Sequence, residues 1–438
     1  VAKYRWIGAG LTARQVNRLT VGGTWAGGEQ ITLSIDNIDF VIVVGSSTTA
    51  AQVAELIYQA YAGVQLTDAT ATATVPWGDG GAKSIAQFSE FTASNPSSGV
   101  VDLTANGAGA LAGKPMTLTV VESSSGGTIT HTNPLIAPTS PYHANQPDNY
   151  SPNGTPGNGD ELIFDSGSVD VRWNLNLGVS LSRITKYKSY TGNVGLPETN
   201  RDNGSLPYHE HRAPTYLTCG GCTVADLEVG EGTGSGRFML DTGAGQSTIN
   251  VFGKGAEAET GIPCILWKGT HAANVVNNLA GSLGIAFYGG EQATVATLIS
   301  GDGKQSQAKT ICGSGCTLGS VTLNGGSLET NSAVTTAVQN GGIWVHKSGT
   351  INALTVEGGT FKNNGGAAIN GLTIGPGGHF DLSSGTASCT IGGTIQLYAG
   401  ARFSDPQGRS GSVSFKLNGC TLEDVTIELP RSKTYTVS

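Results

Sequence analysis

The first hundred residues change their hydrophobic period twice. Ile31, Leu33 and Ile35 alternate with polar residues up to Asp36-Asn37, and Ile38, Phe40, Ile42 and Val44 resume the alternation beyond it. Period two puts one set of side chains on one face of a sheet, so the spacing predicts a β-hairpin turning at 36–37. Ala50, Val53, Ala54, Leu56, Ile57, Ala60 and Tyr61 then recur at i, i+3 and i+4 behind the cap candidates Ser46 to Thr49. That spacing predicts one amphipathic helix, the only one expected in this chain. Val100 to Thr104 and Met116 to Val121 read as two further strands. Residues 1–130 therefore read as a small ββαββ module with its helix on one sheet face. Residues 131–157 hold prolines 134, 138, 141, 147, 152 and 156 among Asn, Gly and Ser, and read as a connection.

Residues 158–438 read as one repetitive body, and from Cys316 one phrase recurs: a short alternating strand, a Gly turn and a second strand. It is clearest in Val321-Thr-Leu-Asn-Gly-Gly-Ser-Leu328, Thr355-Val-Glu-Gly-Gly-Thr-Phe361 and Thr373-Ile-Gly-Pro-Gly-Gly-His-Phe380. The first turn glycines fall at 325, 341, 358 and 377, irregular spacings that fit coils of a parallel β-solenoid. A coil leaves both backbone edges unpaired, and only stacking on its neighbours satisfies them. The fold class expected is thus mainly β, a β-solenoid (β-helix) with a small N-terminal α+β module. Leu323, Val338, Val356, Ile374 and Leu397, each just before a Gly turn, are expected at equivalent inward positions of an apolar core.

Composition sharpens this picture. Charged residues are 13% of the chain, about half the usual share. Between 316 and 408 the acids and bases are Glu329, Glu357, Asp381, Asp405, Lys347, Lys362 and Arg402. Stacking would align like charges, whereas Thr, Ser and Asn form hydrogen-bonded ladders. The net charge of −8 argues against a nucleic-acid partner, which needs clustered Lys and Arg. No apolar run approaches the ~18 residues that cross a bilayer, so no membrane partner is expected. Val1-Ala-Lys-Tyr-Arg-Trp shows neither an apolar signal core nor a cleavage site, and the expectation is cytoplasmic synthesis without export.

Candidate chemistry is sparse. Phe238-Met-Leu-Asp-Thr-Gly-Ala resembles the active-site turn of retroviral-type aspartic proteases, but that chemistry shares a proton between two carboxylates and no second Asp-Thr/Ser-Gly occurs. Asp241 reads as the start of a β-turn. His209 and His211 in Tyr208-His-Glu-His-Arg212 fall on one face if extended, without an evident third metal ligand. Cys219-x-x-Cys222 and Cys312-x-x-x-Cys316 have zinc-like internal spacings but lie some 90 residues apart, and buried reduced thiols are the simpler reading. Polysaccharide lyases and hydrolases on β-helices need paired carboxylates, or carboxylates with Arg or Lys, on one face, and the regular coils carry about one acid each. No catalytic residue, metal or cofactor is assigned.

Tyr4-Arg-Trp6, the Pro-Asn-Gly-Thr-Pro-Gly-Asn-Gly-Asp run at 152–160, Gly195-Leu-Pro-Glu-Thr-Asn200, Tyr208-His-Glu-His211 and Leu266-Trp-Lys-Gly-Thr-His271, taken with the module, are similar to proteins of environmental bacterial prophages and phage-like gene clusters. That resemblance covers nearly the whole chain. It implies a virion component: a non-enzymatic capsid decoration, fibre or spike, located in the virion, whose partners are further copies of itself, as a homotrimer, and a capsid or tail protein. Trp6, Trp25 and Trp77 are the candidate interface residues of a module that either attaches the rod or caps it. The alternative expectation is a β-helix that binds or cleaves carbohydrate.

Overall fold

A computed structural model describes residues 1–35, 38–74, 91–94, 96–105, 113–115, 117–201, 210–230, 236–253, 261–303 and 306–438. Two long sheets of 15 and 11 strands make up the body: Glu161–Phe164 and Leu181–Lys186 both belong to the longer one, and from Leu217–Thr218 onward the chain alternates between the two. Each later coil lends one strand to each sheet, and successive strands of the longer sheet pair in parallel, from Glu161–Phe164 on Leu181–Lys186 to Val413–Leu417 on Tyr435–Val437. The fold is a parallel β-solenoid.

The alternation predicted for the coils is realised as columns of side chains running along the axis. One inward column, Leu162, Ile184, Ala225, Ile249, Val276, Leu298, Val321, Ala337, Leu354 and Leu372, is apolar throughout. The next inward column is mixed: Phe164, Lys186, Leu227, Val251, Asn278, Ser300, Leu323, Gln339, Val356, Ile374 and Leu397. Leu323, Val356, Ile374 and Leu397 are fully buried there, but Val338 is not their equivalent. Gln339 takes that place, while Val338 stands outward between Thr322 and Thr355. A one-residue slip in a strand moves a side chain to the opposite face. Gln339 is tolerated inside because its Nε2 donates to the carbonyls of Gly341 and Gly342, in the turn that follows.

The core is therefore less apolar than expected. Asn278 Nδ2 donates to Thr310 Oγ1 (2.8 Å), which also meets Ser300 Oγ (2.8 Å). In the second sheet Trp344 Nε1 donates to Thr330 Oγ1 (2.8 Å), and Thr330 in turn contacts His346 Nδ1 (2.8 Å). Beside these groups Trp344, Phe361, Phe380 and Phe403 occupy successive rungs of one aromatic column.

The module is an insertion, not a preceding domain. Lys3–Trp6 pairs in parallel with Glu161–Phe164 and antiparallel with Tyr150–Ser151, so the first residues of the chain belong to the solenoid. The expected boundary at residue 130 thus gives way to a neck at Ala13 and Thr139, whose backbones exchange hydrogen bonds of 2.9 and 3.2 Å. Beyond the neck lie two antiparallel four-stranded sheets and the helix Ala50–Ala62, more than the ββαββ expected. Thr49, one of the cap candidates, forms a capping box with Gln52 at the start of that helix, and Gly63 closes it in the left-handed conformation. The predicted hairpin pairs Gln30–Ile35 with Ile38–Val43; its turn at 36–37 lies outside the described residues. Val100–Ala105 and Leu118–Ser123 are strands, and Met116 lies outside the described residues.

The proline-rich segment is well tied down. Gly127–Ile136 is a strand of the module through Pro134. Asn149 is fully buried; its Oδ1 accepts from the Gly10 N–H (2.6 Å) and its Nδ2 donates to the carbonyls of Ser140 and His143. The His143 ring bridges the Gly113 carbonyl of the insertion (2.6 Å) and Asn174 of the first coils (2.8 Å). These bonds satisfy buried backbone that a free linker would leave to water.

Candidate functional site

Two of the three expected docking residues, Trp6 and Trp25, are buried. Trp6 is 2% exposed, donates Nε1–H to the Val169 carbonyl (3.1 Å), and packs edge-on against Tyr150 (5.3 Å) and beside Phe164. Phe164 in turn meets Tyr190 and Phe238. This aromatic plug fills the first coil. Trp25, also 2% exposed, lies in the module core with Nε1–H bonded to the Gly22 carbonyl. The close approach of Gly127 leaves no room there for a Cβ, which would fall 2.2 Å from the indole ring. Trp77 lies outside the described residues.

The metal candidates separate. Cys222 and Cys316 lie in the same sheet, but three strands intervene, which at ~4.8 Å per strand puts them about 19 Å apart. One four-thiolate centre is excluded by that distance. The sulfurs are buried thiols: burial pushes Cys219 up to about 11 and Cys222 up to about 12, and Cys312 is raised by its hydrogen bond with Cys316 and by burial. His209 lies outside the described residues, and the backbone of His211 pairs with Asn200. Among the described residues no group of three or more His, Cys, Asp or Glu side chains gathers to hold a metal ion.

Asp241 ends the strand Phe238–Asp241, and its Oδ1 accepts the Gly243 N–H (2.8 Å), the turn read from the sequence. Its Oδ2 also lies 3.7 Å from Lys268 Nζ, which is 3.7 Å from Glu291 Oε1 and 4.5 Å from the centre of the Tyr216 ring. Burial and the nearby Glu291 charge hold the Tyr216 hydroxyl far above its usual range. Two carboxylates this close resemble a hydrolytic pair, but the ammonium stands between them, where the scissile oxygen or the water would have to sit. One ammonium is thus shared by both carboxylates.

One surface groove was not singled out from the sequence. On the outward face of the longer sheet, over its first coils, Lys3, Glu161, Arg183, Asp226, Glu228, Tyr187 and Phe252 line an open groove of about 730 Å³. Lys3 Nζ lies 3.1 Å from Glu161 Oε2, and Arg183 donates to Asp226 Oδ2 (2.5 Å). Asp226 Oδ1 also accepts from Asn250 Nδ2 (2.8 Å), and Asn250 Oδ1 accepts from Asn277 Nδ2 (2.9 Å), an amide ladder running out of the groove. Tyr187 and Phe252 are 47% and 37% exposed. Beneath them Lys186 points inward, fully buried, with Nζ donating to the Glu228 carbonyl (3.1 Å). Burial lowers its ammonium to about 8.

A signal for the groove existed. Arg183 and Asp226 sit at alternate, outward positions of two successive strands, but the charge count concentrated on the regular coils after 316. No family model, curated protein or solved structure matches this chain.

Proposed function

We propose that the protein is a non-enzymatic structural component of a phage-like particle, a capsid decoration, fibre or spike of the virion, assembled with copies of itself as a homotrimer and with a capsid or tail protein. One observation carries this reading: fifteen strands stack without a break, a span of about 67 Å at ~4.8 Å per strand, with buried columns and outward amide ladders along it. Such a body is stiff, and most of its length is devoted to repeating contacts between rungs rather than to a site. Exposed Ile343 and Tyr398 on the regular coils are consistent with contacts between copies.

The test is fractionation of particles from cells that make the full-length, epitope-tagged chain. The tag is expected to sediment with assembled particles on a density gradient and to be visible on them by immunogold electron microscopy. A tag that stays wholly in the soluble fractions overturns the particle reading. Light scattering of the purified chain checks the trimer, and a monomer across micromolar concentrations removes it. The groove over the first coils favours a second reading, a carbohydrate-binding or carbohydrate-cleaving β-helix, because it gathers carboxylates with Arg and Lys on one solenoid face.

A further inference from the structure

We propose that the groove over the first coils binds a neutral oligosaccharide, through the rings of Tyr187 and Phe252 and the ion pairs Lys3–Glu161 and Arg183–Asp226. The inference rests on the carbohydrate reading and is independent of the particle reading. Tyr187 follows Lys186, whose register partner is Leu227, so it stands level with Glu228, and Glu228 pairs with Phe252. The two rings therefore flank one outward column two rungs apart, about 9.6 Å, the reach of a short chain of sugars rather than one ring. Elsewhere the outward columns are mostly Thr, Ser, Asn and Gln; here two exposed aromatic faces offer the apolar contact that the C–H face of a pyranose seeks.

The polar groups suit the same ligand. A sugar hydroxyl both donates and accepts, and neighbouring hydroxyls are best met by donors and acceptors held side by side. Ion pairing fixes the Arg183 guanidinium beside the Asp226 carboxylate and the Lys3 ammonium beside Glu161, while the Asn250 amide holds Asp226 from the other side. Because Lys3 and Arg183 are each already paired with a carboxylate, a polyanion would have to break an existing pair to gain a cation, whereas a neutral glycan bonds to the pairs as they stand. At about 730 Å³ the groove falls within the ~300–1,000 Å³ typical of ligand sites. Glu161 and Asp226 are each engaged by a cation and the Glu228 carboxylate accepts the Lys188 backbone N–H, so the assignment is binding, without bond cleavage.

The experiment uses the full chain on a printed array of neutral and acidic glycans, followed by calorimetric titration with the best neutral hexasaccharide found. Phe252→Ala and Asp226→Asn are each expected to weaken binding at least tenfold, with the thermal midpoint of Phe252→Ala unchanged because that ring lies outside the core. Tyr398→Ala, an exposed aromatic remote from the groove, is the control expected to bind like the parent. Neutral-glycan binding that survives both groove variants overturns the groove assignment while leaving the carbohydrate reading intact. Binding of acidic glycans alone overturns the neutral assignment, and an array without binding overturns both. None of these outcomes bears on whether the chain sediments with particles.

Discussion

Phe361 lies flat on Phe380, their ring centres 5.5 Å apart and their planes within 7° of parallel. Phe380 repeats the arrangement with Phe403 at 5.6 Å and 11°, so one ring is clamped on both faces by the rungs above and below. Phe380→Ala removes the middle of that stack, and a cost of about 3–5 kcal/mol is expected from the lost burial and the cavity. Denaturant titration with a near-ultraviolet probe measures it. A loss below about 1 kcal/mol would show that the stack contributes shape rather than stability.

The inward register is open to a paired test. Val356→Ala empties a fully buried site and should cost about 1–3 kcal/mol, whereas Val338→Ala, at a half-buried outward position, should cost less than about 1 kcal/mol. Equal losses would contradict the placement of Gln339 rather than Val338 in the core column.

Lys186 is an ammonium in an otherwise apolar stretch between Phe164 and Leu227. Its folded value, near 8, lies below the 10.5 of an exposed lysine. The unfolded chain therefore binds the extra proton between those values, and stability rises as pH is raised from about 8 to 10.5, by up to about 1.4 kcal/mol per unit. Lys186→Met should flatten that rise and stabilise the protein at pH 7, because it removes a buried charge while keeping the volume. Melting curves of parent and variant from pH 7 to 10.5 check both parts.

His346 gives the opposite end of the pH range. Its Nε2 meets the Gly349 carbonyl (2.7 Å), which accepts, so Nε2 carries the proton and Nδ1 is left to accept from the Thr330 hydroxyl. Burial holds the imidazole below its ordinary value, so the unfolded chain protonates first as pH falls past about 6.5. Stability from this residue is present above that pH and is lost as pH drops through the folded value. Acid unfolding is expected to start at lower pH in His346→Gln than in the parent; His143, His131 and His379 are lowered by burial too, which makes the variant comparison the deciding one.

The insertion can be cut out at its neck. Joining residue 13 to residue 139 through a short Gly-Ser linker should leave the solenoid folded, because Ala13 and Thr139 are already bonded neighbours and Lys3–Trp6 keeps its place in the sheet. Circular dichroism is expected to keep the β signal with a cooperative melt. Removing residues 1–157 instead takes away Lys3–Trp6 and Trp6, exposing the edge of Glu161–Phe164 and the aromatic plug, and aggregation is expected by light scattering.

The sequence by itself determined the repeating coil, the helix with its cap, the hairpin strands and the thiol character of the cysteines' surroundings, because each rests on local period or local chemistry. Period two with Gly turns leaves edges that only stacking satisfies, and that argument needs no coordinates. Tertiary structure alone decided which residues of distant segments meet. Trp6 looked like part of the module because it precedes it, yet a parallel strand finds its partner across 157 residues, from Arg5 to Ile163 and its neighbours, and pairing of that kind leaves no local trace. Val338 was assigned by its apolar character, but Gln339 holds the column, its Nε2 donating to the turn's two carbonyls, a partial compensation visible only once the turn is built. The groove has the same origin: Lys3, Glu161, Arg183 and Asp226 are spread over more than two hundred positions, and only the stacking of four successive strands brings their charges to hydrogen-bonding and ion-pairing distance.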